Sequence, residues 1–425
     1  MENKKNAKNK ILISILTVVV IALSFFSGYF IKYLTMDKEE RAVYDLINKY
    51  KKYYLFDDGD LVKDISDAIL DDYSAYYTKE EYEEVKSQKE GNSYGIGLSI
   101  SASDMKILKV LGNSPCEKAG VMVGGKIIGV KSGEKFETVY NYDDFTYILN
   151  AINDGVEFTI KIDYGYEYLD FVIKKQAYKQ TYVRYYDNLG CYAFNDDING
   201  DIKFTKIKEK NYFDNASVGM IVYNSFYGLG DDITSSNAQI VKALEFFKES
   251  GKKNLILDLR NNGGGYMDVM CEVSSHFIDI GNGNKKDVSI ALDKNKEQKT
   301  YKSGKCDYDN YGFENIIILA NEKTASASEA LIGAILDYDK KNIVKVLVAS
   351  SIYKGQVVYK TFGKGIMQST YVNVDGSAVK LTTAKIFWPV SQISIHEEGI
   401  IGLKEGKILG VDSEKTLSTA LELLS

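Results

Sequence analysis

Three short apolar runs, Val218–Tyr223, Asn254–Leu259 and Ile316–Ala320, divide the second half of the chain. Between the first two, Ile240, Ala243, Leu244 and Phe247 recur at helical spacing, and the third leads directly into a helical pattern over Ser326–Asp337. Parallel strands cannot be joined by a tight turn; each needs a crossover long enough to be a helix. The alternation of strand, helix and strand therefore predicts βαβ units on a largely parallel sheet, from about residue 179 to the C-terminus. Val372–Val374 and Ala378–Leu381 flank Asp375-Gly376, a strong hairpin signal.

The texture upstream differs. From Gly91 onwards, Gly95, Gly97, Gly112, Gly120, Gly124, Gly125 and Gly129 punctuate short β-rich runs such as Lys106–Leu111 and Lys126–Val130. A helix with Phe145, Ile148, Leu149 and Ile152 on one face follows, and Glu157–Ile162 and Leu169–Ile173 close the unit. Residues 91–178 thus read as a small domain of short strands and one or two helices. Residues 37–90 read as helical and amphipathic, with Ala42, Leu46 and Ile47, then Leu61, Ile65 and Ile69, at helix spacing. A plain helical spacer is the simplest role for them.

Ahead of that segment, Ile11–Ile31 contains no charge for 21 residues, enough to span a hydrocarbon core. A cleaved signal has a shorter apolar region and a small-residue cut site, and neither is clear here. We expect a retained transmembrane anchor over residues 11–34. Lys4, Lys5, Lys8 and Lys10 precede it while Asp37, Glu39 and Glu40 follow. The positive-inside rule then places residues 1–10 in the cytoplasm and the rest outside, on a single-pass protein of the cell membrane.

The remainder, at 425 residues in all, is long enough for two or three domains with their own cores. A net charge of −6, with no phosphate loop and no basic aromatic-studded stretch, argues against nucleic-acid binding. Cys116, Cys191, Cys271 and Cys306 stand far apart with no C-x-x-C pair, so buried free thiols are the simplest reading. An extracytoplasmic body would leave a disulfide open. Only His276 and His396 are present, without a metal-binding pattern, so a zinc hydrolase is unsupported and no metal is expected. His276, among Val273, Phe277 and Ile278 on an expected helix, reads as structural, and neither histidine has a nucleophile motif nearby.

Three segments carry chemistry. In Thr324-Ala325-Ser326-Ala327-Ser328-Glu329 a serine between alanines stands where the buried run gives way to a helix, near the positive end of its dipole. The same residues also read as a capping box, Ser326-x-x-Glu329. In Thr361-Phe362-Gly363-Lys364-Gly365-Ile366-Met367-Gln368 the flanking glycines admit close backbone approach, and apolar neighbours could desolvate Lys364. To act as a base the lysine must titrate about 3 units below its reference value near 10.4, so its burial has to be substantial. A solvated turn lysine is the plain alternative. In Asp258-Leu259-Arg260-Asn261-Asn262-Gly263-Gly264-Gly265 a glycine run at a helix start exposes N–H groups to an anion; an oxyanion hole suits it better than a phosphate site.

Taken together and in this order, these segments resemble the carboxyl-terminal processing proteases, PDZ-containing Ser-Lys peptidases. Leu70-Asp71-Asp72-Tyr73-Ser74-Ala75-Tyr76-Tyr77 looks like that family's turn before the PDZ domain. Tyr94-Gly95-Ile96-Gly97 and Ser114-Pro115-Cys116-Glu117-Lys118-Ala119-Gly120 look like PDZ signatures, and Leu381-Thr382-Thr383-Ala384-Lys385 with Trp388-Pro389 and Gly399-Ile400 like the stretch beyond the lysine. The resemblance implies a multidomain α/β and α+β protein: anchor, helical segment, PDZ domain over 91–178 and a crotonase/ClpP-like βαβ protease core over 179–425. It implies Ser326 as nucleophile, Lys364 as general base, Gln368 as its orienting partner, and the N–H groups of Gly264 and Ala327 as oxyanion hole. It implies peptide hydrolysis through an acyl-enzyme without metal or organic cofactor, acting on protein or peptide substrates. Tyr94, Gly95, Ile96 and Gly97 would hold a substrate C-terminus added as a strand beside Leu98–Ser101. A homo-oligomer is left open.

Two departures stand out. Ser326 and Lys364 are 38 positions apart (364 − 326), longer than the family pattern by roughly a dozen, a length that surface loops absorb. The extra residues fall within Lys340–Lys360, where they are expected to reshape the pocket rim. Gly263 replaces the usual proline of the glycine loop and loosens it. A membrane-tethered binding protein built on a dead protease core is the rival class, and it would have lost the serine, the lysine or the glutamine. All three are present.

Overall fold

The computed structural model describes Thr17 and residues 31–54, 61–196, 202–207, 214–228, 235–278 and 283–425. The expected anchor falls almost entirely outside these, and among the described residues no helix is long and apolar enough to cross a membrane. The chain forms two compact units, residues 1–69 and 70–425. In the first, the helix Lys38–Tyr53 starts at a reciprocal cap: Asp37 accepts the Glu40 N–H at 2.8 Å and Glu40 accepts the Asp37 N–H at 3.1 Å. A second helix, Leu61–Ile69, follows.

The helical reading of residues 37–90 is only partly right. Asp71 accepts the N–H of Tyr73 at 3.0 Å, an Asx turn that ends helical continuation. Ala75–Tyr77 is then a strand, paired antiparallel with Ala378–Lys380, before the helix Lys79–Lys89. The aromatic pair Tyr76-Tyr77 suits a strand better than its charged neighbours do. Residues 70–90 consequently fold with the main body.

Within the second unit, residues 92–179 enclose a core of their own. Strand Asn92–Gly95 pairs with Gln176–Lys179 and closes the small domain on itself. Its four-stranded sheet contains Glu157–Asp163, in which Phe158, Ile160 and Ile162 are buried at period two, against Ile107, Ile127 and Phe145. The larger part is built on an eight-stranded sheet. Val218–Tyr223, Asn254–Asp258, Asn315–Ala320, Val344–Ala349 and Ile408–Val411 run parallel, and Val183–Asp187, Gly190–Asp196 and Ile202–Ile207 extend it antiparallel. Helices Ser236–Glu249, Met267–Ser274 and Ala327–Tyr338 bury Leu244, Phe247, Met270, Leu331 and Ile335 in the main core, while Ala420 of Thr416–Glu422 packs into a separate cluster with Ile317 and Leu347. The predicted βαβ order is thus observed.

A second sheet brings the lysine segment in. The hairpin Ile366–Val372 and Ala378–Phe387 turns at Asp375-Gly376, and its second strand also pairs with Ala75–Tyr77 and Asp287–Asp293. Trp388, just beyond it, lies so close to Gly333 of the helix Ala327–Tyr338 that a Cβ there would overlap the indole. Gly333→Ala is therefore expected to destabilise the protein by about 1–3 kcal/mol through overpacking, measured as a lowered denaturation midpoint with unchanged m-value.

Candidate active site

Ser326 occupies the turn between the buried strand Asn315–Ala320 and the helix Ala327–Tyr338, with φ 59° and ψ −117°. A serine that merely caps a helix has extended backbone, whereas this one holds a left-handed φ that a non-glycine residue adopts only under constraint. The constraint is visible on both sides. The Ala325 N–H donates to the Asn262 carbonyl at 3.0 Å, and the Ser326 N–H donates to the Glu329 carboxylate at 2.9 Å.

The glycine loop is pressed against this turn. Asn262 is fully buried: its Nδ2 donates to the Tyr223 carbonyl at 2.8 Å and its carbonyl accepts the Ser328 hydroxyl at 2.9 Å. Gly264, at φ 98°, lies so near that a Cβ would stand 2.9 Å from both Ser326 Cβ and the Ala327 nitrogen. Only glycine fits there. Gly264 and Ala327 are brought together beside Ser326, but the Gly264 N–H donates to Asn262 Oδ1 at 2.9 Å rather than into the site. Ala327 is the first helical residue, where an N–H has no intrahelical acceptor.

Glu329 joins the serine to the lysine. Fully buried, it accepts the Thr361 hydroxyl at 2.5 Å, the Gly363 N–H at 2.8 Å and the Lys364 N–H at 2.9 Å, besides that of Ser326. Burial pushes its carboxyl up, against the opposing pull of these donors. Lys364 is half-buried, with its ammonium 4.9 Å from the centre of the Tyr73 ring. Burial lowers its pKa, repulsion from Lys380 adds to the fall, and Asp71 opposes it. Gln368 donates through Nε2 to Thr382 Oγ1 at 3.1 Å.

Ser326, Ala327, Lys364 and Gln368 all line one cavity of about 590 Å³, with Gly263 and Gly265 on its wall. Among the described residues no hydrogen bond joins Ser326 Oγ to Lys364 Nζ, and the Gln368 amide is engaged by Thr382 rather than by the lysine. The groups share a chamber, with the contact between them unmade.

Residues 217–402 match the family described as Peptidase family S41. Through this stretch, 186 of the 425 residues (402 − 217 + 1), the chain resembles peptidase family S41. It is 27% identical over 417 residues to a probable CtpA-like serine protease of Staphylococcus saprophyticus, covering 92% of this chain and 71% of that one. A Staphylococcus aureus protein of the same description is 27% identical over 372 residues, covering 84% and 62%. The chain thus spans 62–71% of the length of these two relatives. Among solved structures, the photosystem II D1 C-terminal processing protease has the same fold, with a TM-score of 0.52 at 19% identity over 87% of each chain.

Other expectations fall out unevenly. Tyr94, Gly95, Ile96 and Gly97 line a separate cavity with Tyr142, Phe145 and Leu149, beside the strand Leu98–Ile100. His276 lies in the turn after the helix Met267–Ser274, not on it, held by Asp307 at 2.8 Å and Asn237 at 3.1 Å. Within residues 340–360, Val344–Ala349 belongs to the central sheet and Ser351–Tyr353 with Gln356–Val358 forms a hairpin. Ser351 and Ile352 line a different cavity from Ser326. The cysteines are buried free thiols, and burial raises Cys116 and Cys271 to about 12.

The sequence reading missed Glu329 as more than a cap partner, and it missed Tyr73 as the seat of the lysine. A glutamate on an otherwise apolar helix start was the available signal for the first. In Glu329→Gln an amide N–H₂ replaces an acceptor among four donors. We expect a loss of about 3 kcal/mol in stability, read from chemical denaturation, together with a fall in peptidase activity.

Proposed function

We propose that this S41 peptidase is a membrane-anchored, extracytoplasmic endopeptidase that cleaves proteins through a Ser326–Lys364 acyl-enzyme, with its small domain acting as a PDZ module for substrate C-termini. The observation that carries the reading is the shared cavity, in which a constrained serine, a lysine of lowered pKa and a glycine-built loop face one space. Neutral Lys364 Nζ takes the Ser326 Oγ proton as the oxygen attacks the scissile carbonyl carbon. Negative charge gathers on the carbonyl oxygen, opposite the Ala327 N–H and the Gly264 N–H once the latter exchanges Asn262 for substrate. The lysine ammonium then protonates the leaving amine, and the C–N bond breaks to give the ester. Water attacks that ester, gives its proton to Lys364, and the proton returns to Ser326. Gln368 turns from Thr382 to steady the amine. For the first step the lysine side chain leaves the Tyr73 ring.

The groove at Tyr94, Gly95, Ile96 and Gly97 would hold a terminal carboxylate, with the substrate added as a strand beside Leu98–Ile100. The anchor and the extracytoplasmic location rest on the uncharged run Ile11–Ile31 and the lysines before it.

The test compares wild type, Ser326→Ala and Lys364→Ala on an unfolded polypeptide with an apolar C-terminus, with fragments read by mass. Each substitution should lower kcat/KM by roughly a thousandfold or more; equal cleavage by all three would overturn the mechanism. A second measurement is the pH dependence of kcat/KM. Because burial disfavours the ammonium, the acidic limb should rise as Lys364 loses its proton, with a midpoint below the ordinary lysine value of about 10.4. A midpoint at or above that value would remove the lysine as base.

A further inference from the structure

The chamber that holds Ser326 is charged opposite to the protein. The chain carries a net −6, yet the cavity is lined by Lys89, Lys299, Lys364 and Lys380 and by a single carboxylate, Asp268. Among the described residues none of the four lysines makes an ion pair. Each ammonium rests on a tyrosine ring instead: Lys89 on Tyr266 at 5.3 Å, Lys299 on Tyr301 at 4.6 Å, Lys364 on Tyr73 at 4.9 Å and Lys380 on Tyr77 at 5.8 Å.

Three of these lysines have no part in the acyl-transfer chemistry and arrive from unrelated elements. Lys89 ends the helix Lys79–Lys89, where its carbonyl is fixed by the Gly228 N–H at 3.0 Å. Lys299 projects from Gln298–Lys302, and Lys380 from the strand that pairs with both Ala75–Tyr77 and Ile366–Val372. Lys89 and Lys380 are half-buried. Both line the same cavity, and Lys89 has a pKa lowered first by burial and then by repulsion from Lys380. Like charges converging in a cleft with low-dielectric walls repel, and a ring face compensates an ammonium less well than a carboxylate does. With Asp268 the single carboxylate on the lining, most of the counter-charge is left for a ligand to bring. The tyrosine walls suit an extended peptide, whose backbone and apolar parts lie on rings while its acidic groups reach the ammonium ions.

We propose that Lys89, Lys299 and Lys380 form a carboxylate-reading subsite of this cleft, so that its preferred polypeptides carry Asp or Glu side chains beside the bond presented to Ser326. The subsite rests on the peptidase reading for its role but is separable from it, because it predicts binding.

The full chain bearing Ser326→Ala is titrated at low salt with fluorescent peptides, followed by anisotropy. One peptide carries two internal Glu residues and an amidated end. Its twin has Gln in their place, and a third has Gln with a free terminal carboxylate. The Glu peptide should bind about tenfold more tightly than its amidated twin, with the advantage shrinking as salt is raised. Added Lys89→Gln or Lys380→Gln should cut that advantage to about twofold or less. Lys299→Gln, at an exposed position, should reduce it without touching the melting temperature, which guards against misfolding of the other two. Equal binding of the Glu and Gln twins overturns the subsite. So does an advantage confined to the free-carboxylate peptide, which would assign the terminal group instead. Glutamate-selective binding by a chain whose wild-type form cleaves nothing would sustain the subsite and remove the peptidase reading. Ser326-dependent cleavage without selectivity would do the reverse.

Discussion

A single buried carboxylate ties the Ser326 turn to the Lys364 loop. Glu329 accepts from the backbone of Ser326 and of Lys364, and from Gly363 and the Thr361 hydroxyl. The serine sits at a helix start on the parallel sheet, and the lysine precedes a hairpin of a different sheet. Taking an anion into a fully buried position is costly unless its lone pairs are filled, and here four donors fill them. That requirement fixes two distant loops relative to one another, whatever the chain between them does. The long spacing from Ser326 to Lys364 includes an outer hairpin, while Glu329 holds both ends.

The side chains above this clamp are engaged elsewhere than with one another. The lysine ammonium lies over Tyr73, the Gly264 N–H is taken by Asn262 and the Gln368 amide by Thr382.

Much of this was legible in the sequence, for identifiable reasons. Apolar runs such as Val218–Tyr223 and Ile316–Ala320 announce buried parallel strands because both faces must be covered, and period-two burial along Glu157–Asp163 marks the small domain. Ser326, Lys364 and Gly264 were singled out by the resemblance of their segments, and the structure puts Ser326 and Lys364 on one cavity with Gly264 beside the serine. What escaped depended on tertiary pairing. Ala75–Tyr77 becomes a strand only because Ala378–Lys380 offers it an edge, and Tyr73 meets Lys364 across 291 positions of sequence (364 − 73). Local propensity has no access to such partners.

The strand Ala75–Tyr77 also bears on where this enzyme begins. Composition invites a cut near residue 91 or 179, ahead of the glycine-rich domain or of the βαβ region. Either cut removes an outer strand of the sheet that continues into the lysine hairpin, along with the Ser74 hydroxyl that receives the Thr382 N–H at 3.0 Å and the ring beneath the lysine. A fragment trimmed in that way would keep every residue of the nucleophile and base motifs and lose part of the wall between them. The fold around Ser326 and Lys364 therefore includes residues well upstream of the βαβ region.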